Sequence, residues 1–132
     1  MPLPYLPKQG EILICDFDDV ARGAEMIKRR PIVIVSRKDA HRNAVFTVVP
    51  LSTTAPDPVR AWHHALPHVT ITGWHAQAQM WAKGDMITTV SRERLNKPYR
   101  KARTGGRQWV THYLDEADLQ AILAGVRSYL GL

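Results

Sequence analysis

Lys28-Arg29-Arg30-Pro31-Ile32-Val33-Ile34-Val35-Ser36 constrains this chain more than any other stretch. Three cations stand directly before a proline and a four-residue apolar run that is β-branched throughout. Such side chains fit a pleated, buried surface, so the run reads as a strand in a core. Pro31 belongs at the first position of that strand, where a missing N–H costs least, and it pushes Arg30 toward an extended backbone. Arg30 then stands at the exposed mouth of an anchored strand, a rigid way to present a guanidinium to an anion. Taken alone, three basic residues before a strand are more simply a solvated edge, so the flanking sequence has to decide.

The 132 residues suit a single domain, 1–132, with one core. A hydrophobic fraction of 45% is ordinary for a globular protein and argues against disorder. No apolar run approaches the ~20 residues of a membrane span. The start, Met1-Pro2-Leu3-Pro4-Tyr5-Leu6-Pro7, lacks the charged and apolar regions of a signal peptide. Cys15 is the one cysteine, which leaves no internal disulfide and makes the cytoplasm the expected compartment. Eighteen Lys and Arg against twelve Asp and Glu give a net charge of +6. A small basic domain of this kind suits a polyanionic partner, nucleic acid before a membrane surface.

Residues 1–9 are proline-rich and read as an extended arm. Gly10-Glu11 opens an apolar strand, Ile12 to Phe17, in which Cys15 is a small core residue. Asp16, Asp18 and Asp19 close it, as a solvated turn or, less simply, a divalent-metal site. A loop over 20–30 leads into the central strand, and a polar turn over 37–43 follows it. Ala44 to Val49 is a third strand, ended by Pro50, after which come Leu51-Ser52-Thr53-Thr54. Hydroxyls at a strand end can meet a substrate or simply satisfy turn backbone.

Taken together, Gly10-Glu11, Asp16-Phe17-Asp18, Gly23-Ala24-Glu25, Arg30-Pro31-Ile32-Val33-Ile34-Val35-Ser36 and Val49-Pro50-Leu51-Ser52-Thr53 resemble the PemK/MazF toxins of bacterial toxin–antitoxin systems. The likeness is best over 9–54 and looser over 80–95 and the C-terminal helix. It implies a mainly β, α+β fold: an SH3-like small barrel, shared with the CcdB toxins, carrying a C-terminal α-helix and usually forming a homodimer. It also implies a sequence-specific endoribonuclease that cuts single-stranded mRNA without metal or cofactor and is held in check by a cognate antitoxin. The family's catalytic arginine falls at Arg30 and its catalytic hydroxyl at Ser52, with Thr53 adjacent; beside them, Glu25 and Asp16 are candidates to position Arg30 or to assist proton transfer. The 2′-hydroxyl of the substrate would attack the neighbouring phosphate, leaving a 2′,3′-cyclic phosphate and a 5′-hydroxyl.

The middle of the chain is less legible. His63, His64 and His68 suggest a zinc or acid–base site, though no fourth ligand lies nearby and packing is the plainer role. Val69–Ile71 and 77–82 alternate as two strands, the latter followed by Lys83-Gly84-Asp85 and then 86–91. The segment 92–110 reads as a basic loop. Its Arg92, Arg94, Arg100, Lys101, Arg103 and Arg107, with Lys28 and Arg29, are candidate RNA contacts, and the interleaved Tyr99 and Trp109 can stack on unpaired bases. A solvated basic loop or an antitoxin-binding surface is the alternative. Asp115 caps a helix over 115–130 whose Leu119, Ile122, Leu123, Val126 and Leu130 share one face, with Gly131 stopping it. Two rival functions follow from the same features: a CcdB-like toxin that binds gyrase, and a non-catalytic RNA-binding module.

Overall fold

A computed structural model describes residues 3–17, 29–37, 45–74 and 79–132. Its strands are β1 (Glu11–Asp16), β2 (Arg29–Ile34), β3 (Val45–Ser52), β4 (His63–Leu66), β5 (Met80–Lys83), β6 (Thr88–Ser91), β7 (Leu95–Asn96), β8 (Tyr99–Lys101), β9 (Arg107–Trp109) and β10 (His112–Tyr113). One helix, α1 (Glu116–Leu130), completes the described chain. The strands β10-β1-β2-β3-β5-β4 lie side by side, all antiparallel, with β6 also on β3 and β7 also on β1.

Side chains alternate between the two faces of a strand, and here the faces belong to two cores. Ile12, Ile14, Val33, Val35, Val49 and Leu51 pack with β5 and with Leu119, Ile122 and Val126 of α1. Leu13, Cys15, Ile32, Ile34, Phe46 and Val48 pack with Val90 and Leu95. A single turn joins β6 to β7, and these pair with β3 and β1 respectively. The sheet therefore curls back on itself around the second core, giving the small barrel-like α+β fold expected. Near-continuous burial of β1, β2 and β3 follows from having a core on each face.

Both prolines sit inside strands instead of at their ends. Pro31 is the third residue of β2 and Pro50 the sixth of β3. Val35 donates its N–H toward β3, to Thr47 O at 2.9 Å. By alternation Pro31 turns its missing N–H the same way, at a point where the β2–β3 ladder, which starts at Ile32↔Pro50, has not begun. Pro50 falls where β3 changes partner, between residues 45–48 paired to β6 and 51–52 paired to β5. Neither proline breaks a ladder bond, so neither ends its strand.

Other expectations are corrected. The N-terminal arm is packed down: Leu3 is buried in the second core, and Tyr5 donates its hydroxyl to Glu11 Oε2. Residues 69–71 are irregular chain after a turn over 67–68 closed by Val69 N to Leu66 O, and the strand there is His63–Leu66. The segment 92–110 is a structured unit: a 3-10 turn, β7, and the separate two-stranded ribbon β8–β9. Gly105, with φ +92°, closes the ribbon's tip. The helix matches its expected caps, since Asp115 accepts from Asp118 N at 2.8 Å and Gly131 is left-handed. Leu130, however, is exposed and lies off the packed stripe.

Candidate active site

The β2–β3 register runs Ile34↔Val48, Val33↔Val49, Ile32↔Pro50. Continued two residues past the last pair, it sets Arg30 opposite Ser52 at the open end of the barrel. Alternation agrees: Arg30 shares a face with Ile32 and Ile34, and Ser52 with Phe46 and Val48, all of the second core. β1 supports Arg30 from the other side through the pair Cys15↔Arg30. Arg30 is half-buried, and its Nε is enclosed without an acceptor among the described residues. A buried donor left unmatched costs roughly 1–3 kcal/mol, and a bound anion would satisfy it. Ser52 is 5% exposed, and its Oγ accepts the Thr54 N–H at 3.0 Å. That bond fixes the hydroxyl against the backbone of the following turn. Thr53 lies just past the end of β3 and is half-buried.

Cys15 lies directly behind Arg30 and is fully buried. Burial pushes its thiol up to about 12, against a smaller opposing pull from Arg94. The neutral thiol is packing, not a nucleophile. Asp16 pairs with Arg29, on the face away from Arg30, and its carbonyl accepts from Arg94 Nη1 at 3.2 Å. Arg94 thereby ties the turn before β7 to the end of β1. Glu25 and Lys28, like Asp18 and Asp19, lie outside the described residues.

The histidines separate instead of converging. His63 Nδ1 accepts from Arg60 N at 2.9 Å, and its Nε2 lies 3.3 Å from Asp85. His64 Nε2 lies 2.9 Å from Asp118 of α1. His63 and His64 thus meet two different carboxylates, and His68 lines a pocket that Asp118, the carboxylate His64 reaches, also borders.

On the ribbon, Arg100, Lys101, Arg103 and Arg107 are all exposed, whereas Arg92 is half-buried on the barrel. Arg107 stacks over Tyr99 at 4.5 Å and Trp109 at 5.8 Å, and Arg100 Nε donates to Gln108 Oε1 at 2.8 Å. The ribbon is held by its own cross-strand contacts, with Trp109 45% exposed. Two features were not evident from the sequence. Glu11 is a fully buried carboxylate whose neighbour Tyr5 has its hydroxyl pKa raised by burial and by that hydrogen bond. Trp81 of β5 is the direct partner of Ser52; an aromatic at an alternate position of a strand was the available clue.

Fold and mouth together define a small barrel whose strand ends hold a cation and a hydroxyl side by side. The chain matches the family described as PemK-like, MazF-like toxins of type II toxin–antitoxin systems over residues 8–130, and it belongs to that family. The Escherichia coli protein YifN is 34% identical over 116 residues, covering 74% of this chain and 76% of its own. Among solved structures, MazF from Deinococcus radiodurans is similar with a TM-score of 0.66 at 16% identity, covering 97% of this chain and 99% of that one. A mycobacterial endoribonuclease in complex with its cognate antitoxin is similar with a TM-score of 0.61 at 21% identity, covering 96% of each chain. These two likenesses are of fold.

Proposed function

We propose that this toxin is an endoribonuclease that cuts single-stranded RNA at the barrel mouth, with Arg30 and Ser52 on the scissile phosphate. The observation that supports this reading is an enclosed guanidinium nitrogen on Arg30 with no acceptor among the described residues, two residues beyond the last β2–β3 pair, as the fixed Ser52 hydroxyl is on the facing strand. In the reaction the 2′-hydroxyl releases its proton to solvent as its oxygen bonds to phosphorus, the bond from phosphorus to the 5′-oxygen breaks, and the leaving oxygen takes up a proton, so none is gained or lost overall. Negative charge grows on the phosphoryl oxygens in the transition state. A guanidinium is planar, permanently charged and able to bind two of those oxygens, so it supplies there the charge a metal would otherwise bring. A serine hydroxyl is a poor base without help, so Ser52 orients the phosphate. Glu25 and Asp16 are assigned supporting roles, Asp16 through its pairing with Arg29.

The β8–β9 ribbon supports the same substrate. Its cations would meet phosphates while Trp109 offers an exposed ring to an unpaired base. The same cations suit an acidic antitoxin, the partner that the family implies and that accompanies the mycobacterial relative. Incubating the purified protein with a long RNA in EDTA and mapping the new ends tests the reading. Fragments with 2′,3′-cyclic phosphate and 5′-hydroxyl ends are expected. Strict dependence on magnesium or zinc would overturn metal independence, and binding without any cut would leave a non-catalytic RNA-binding module.

A further inference from the structure

We infer that Trp81 is a base-stacking platform beside the phosphate site, selecting RNA whose base at that position is unpaired. The inference rests on the assignment of Arg30 and Ser52 to the phosphate. Burial along β5 alternates: Met80 and Ala82 are 2% and 1% exposed in the first core, while Trp81 and Lys83 are half-buried. Trp81 therefore stands on the opposite face, and its direct partners there are Ser52 on β3 and Ala65 on β4. Ser52 and Trp81 are thus a direct pair, and the β2–β3 ladder, extended two residues past Ile32↔Pro50, brings Arg30 into line with them.

Among the described residues, Trp81 does not belong to the side chains packed on either core, unlike Trp74, Ile87 and Tyr5. Its directly paired neighbours, Ser52 and Ala65, are small, and the ring is half-buried. Directly opposed residues in an antiparallel pair have Cβ atoms about 5 Å apart, so the ring and the Ser52 hydroxyl border the same space. A nucleotide carries its phosphate and its base on either side of one ribose. With the phosphate on Arg30 and Ser52, the neighbouring base can reach across one strand to the indole. Lys83 lies two residues along the same face, where it can meet the next phosphate. Stacking is tolerant of base identity but not of pairing, because a base in a duplex is already stacked on its neighbours.

The test uses a 12-mer of single-stranded 2′-O-methyl RNA, which has no free 2′-hydroxyl to attack. Binding should quench tryptophan fluorescence, and the Trp81→Phe variant should lose that component while keeping most of the affinity. Trp81→Leu, which retains apolar bulk without a π-face, should bind about 5- to 150-fold more weakly, the range expected for one lost stack. Replacing each base in turn by an abasic ribose should cost wild type affinity at one position and cost Trp81→Leu nothing there. Matching thermal melts would show that the variants are folded. Wild-type affinity in Trp81→Leu, equal losses in the Phe and Leu variants, or equal abasic penalties in wild type and Leu would each overturn the inference. Because this RNA cannot be cut, coupling between Trp81 and one base would survive a failure to cleave ordinary RNA. Cleavage without such coupling would sink the stacking role alone.

Discussion

Arg30 is proposed to act through geometry as much as charge, and that can be separated experimentally. Losing one preorganised donor to a developing oxyanion costs on the order of 10²–10³ in rate. Arg30→Ala should therefore lose most cleavage in a single-turnover assay while its far-ultraviolet spectrum is unchanged. Arg30→Lys should recover little, because an ammonium keeps the charge but not the fork. A folded Arg30→Ala protein with normal turnover would remove the residue from the mechanism. Ser52 and Thr53 differ in placement: Ser52 is the last residue of β3, paired with Trp81, whereas Thr53 lies past the strand's end. A hydrogen bond to a charged group is worth ~1.5–3 kcal/mol, so Ser52→Ala should slow cleavage about 10- to 150-fold. Thr53→Ala should do less, and the reverse order in single-turnover rates would place the working hydroxyl at Thr53.

Between elements, the informative contact is where β10 meets the turn after β4. Thr72 donates its backbone N–H to His112 Nε2 at 3.2 Å, and Thr72 Oγ1 lies 3.0 Å from the same nitrogen. An Nε2 that accepts an N–H is unprotonated, and burial lowers the pKa of His112. With the folded value below the unfolded one, both states are neutral above the unfolded pKa of about 6.5 and nothing is lost there. As pH falls below it, the unfolded chain takes up a proton that the folded chain refuses, so stability declines until the folded pKa is passed. Urea midpoints from pH 8 to pH 5 should fall on acidification, and less steeply in His112→Gln; equal slopes would exclude this histidine. Such long-range contacts also mark the limit of what the sequence could show. The central β-branched run, Arg30 at its mouth, Ser52 by its count from Pro50, and the capped helix were legible because each is local. β4 was not: His63-His64-Ala65-Leu66 lacks β-branched residues, and its strand character comes from pairing with Met80–Lys83. Val69 and Ile71 have strand composition yet pack into the first core from irregular chain between two turns. Pro50 misled because a proline is tolerated where a strand changes partners.

For the molecule as a whole, the net charge of +6 was legible, but its distribution was not. The segment 92–110 has the composition of a solvated loop. Its ribbon is held by Tyr99, Arg107 and Trp109 stacking across strands, which composition cannot reveal. Among the described residues, cations gather at Arg29 and Arg30 and on the exposed ribbon at Arg100, Lys101, Arg103 and Arg107. The proposed antitoxin and RNA would both be drawn to them, since each is a flexible anion. Rim charges chiefly accelerate encounter, whereas buried anchors slow release. An acidic antitoxin segment should therefore compete with RNA for the mouth. Raising salt should lower its association rate more than it raises dissociation, because charges more than about 10 Å apart are largely screened at 0.1 M salt. Alanine at Arg100, Lys101 and Arg103 together should flatten that salt dependence while leaving the dissociation rate nearly unchanged. Binding kinetics across a salt series, with and without uncuttable RNA, decide the point. If antitoxin and RNA bind together without mutual effect, they occupy separate surfaces and the shared mouth is refuted.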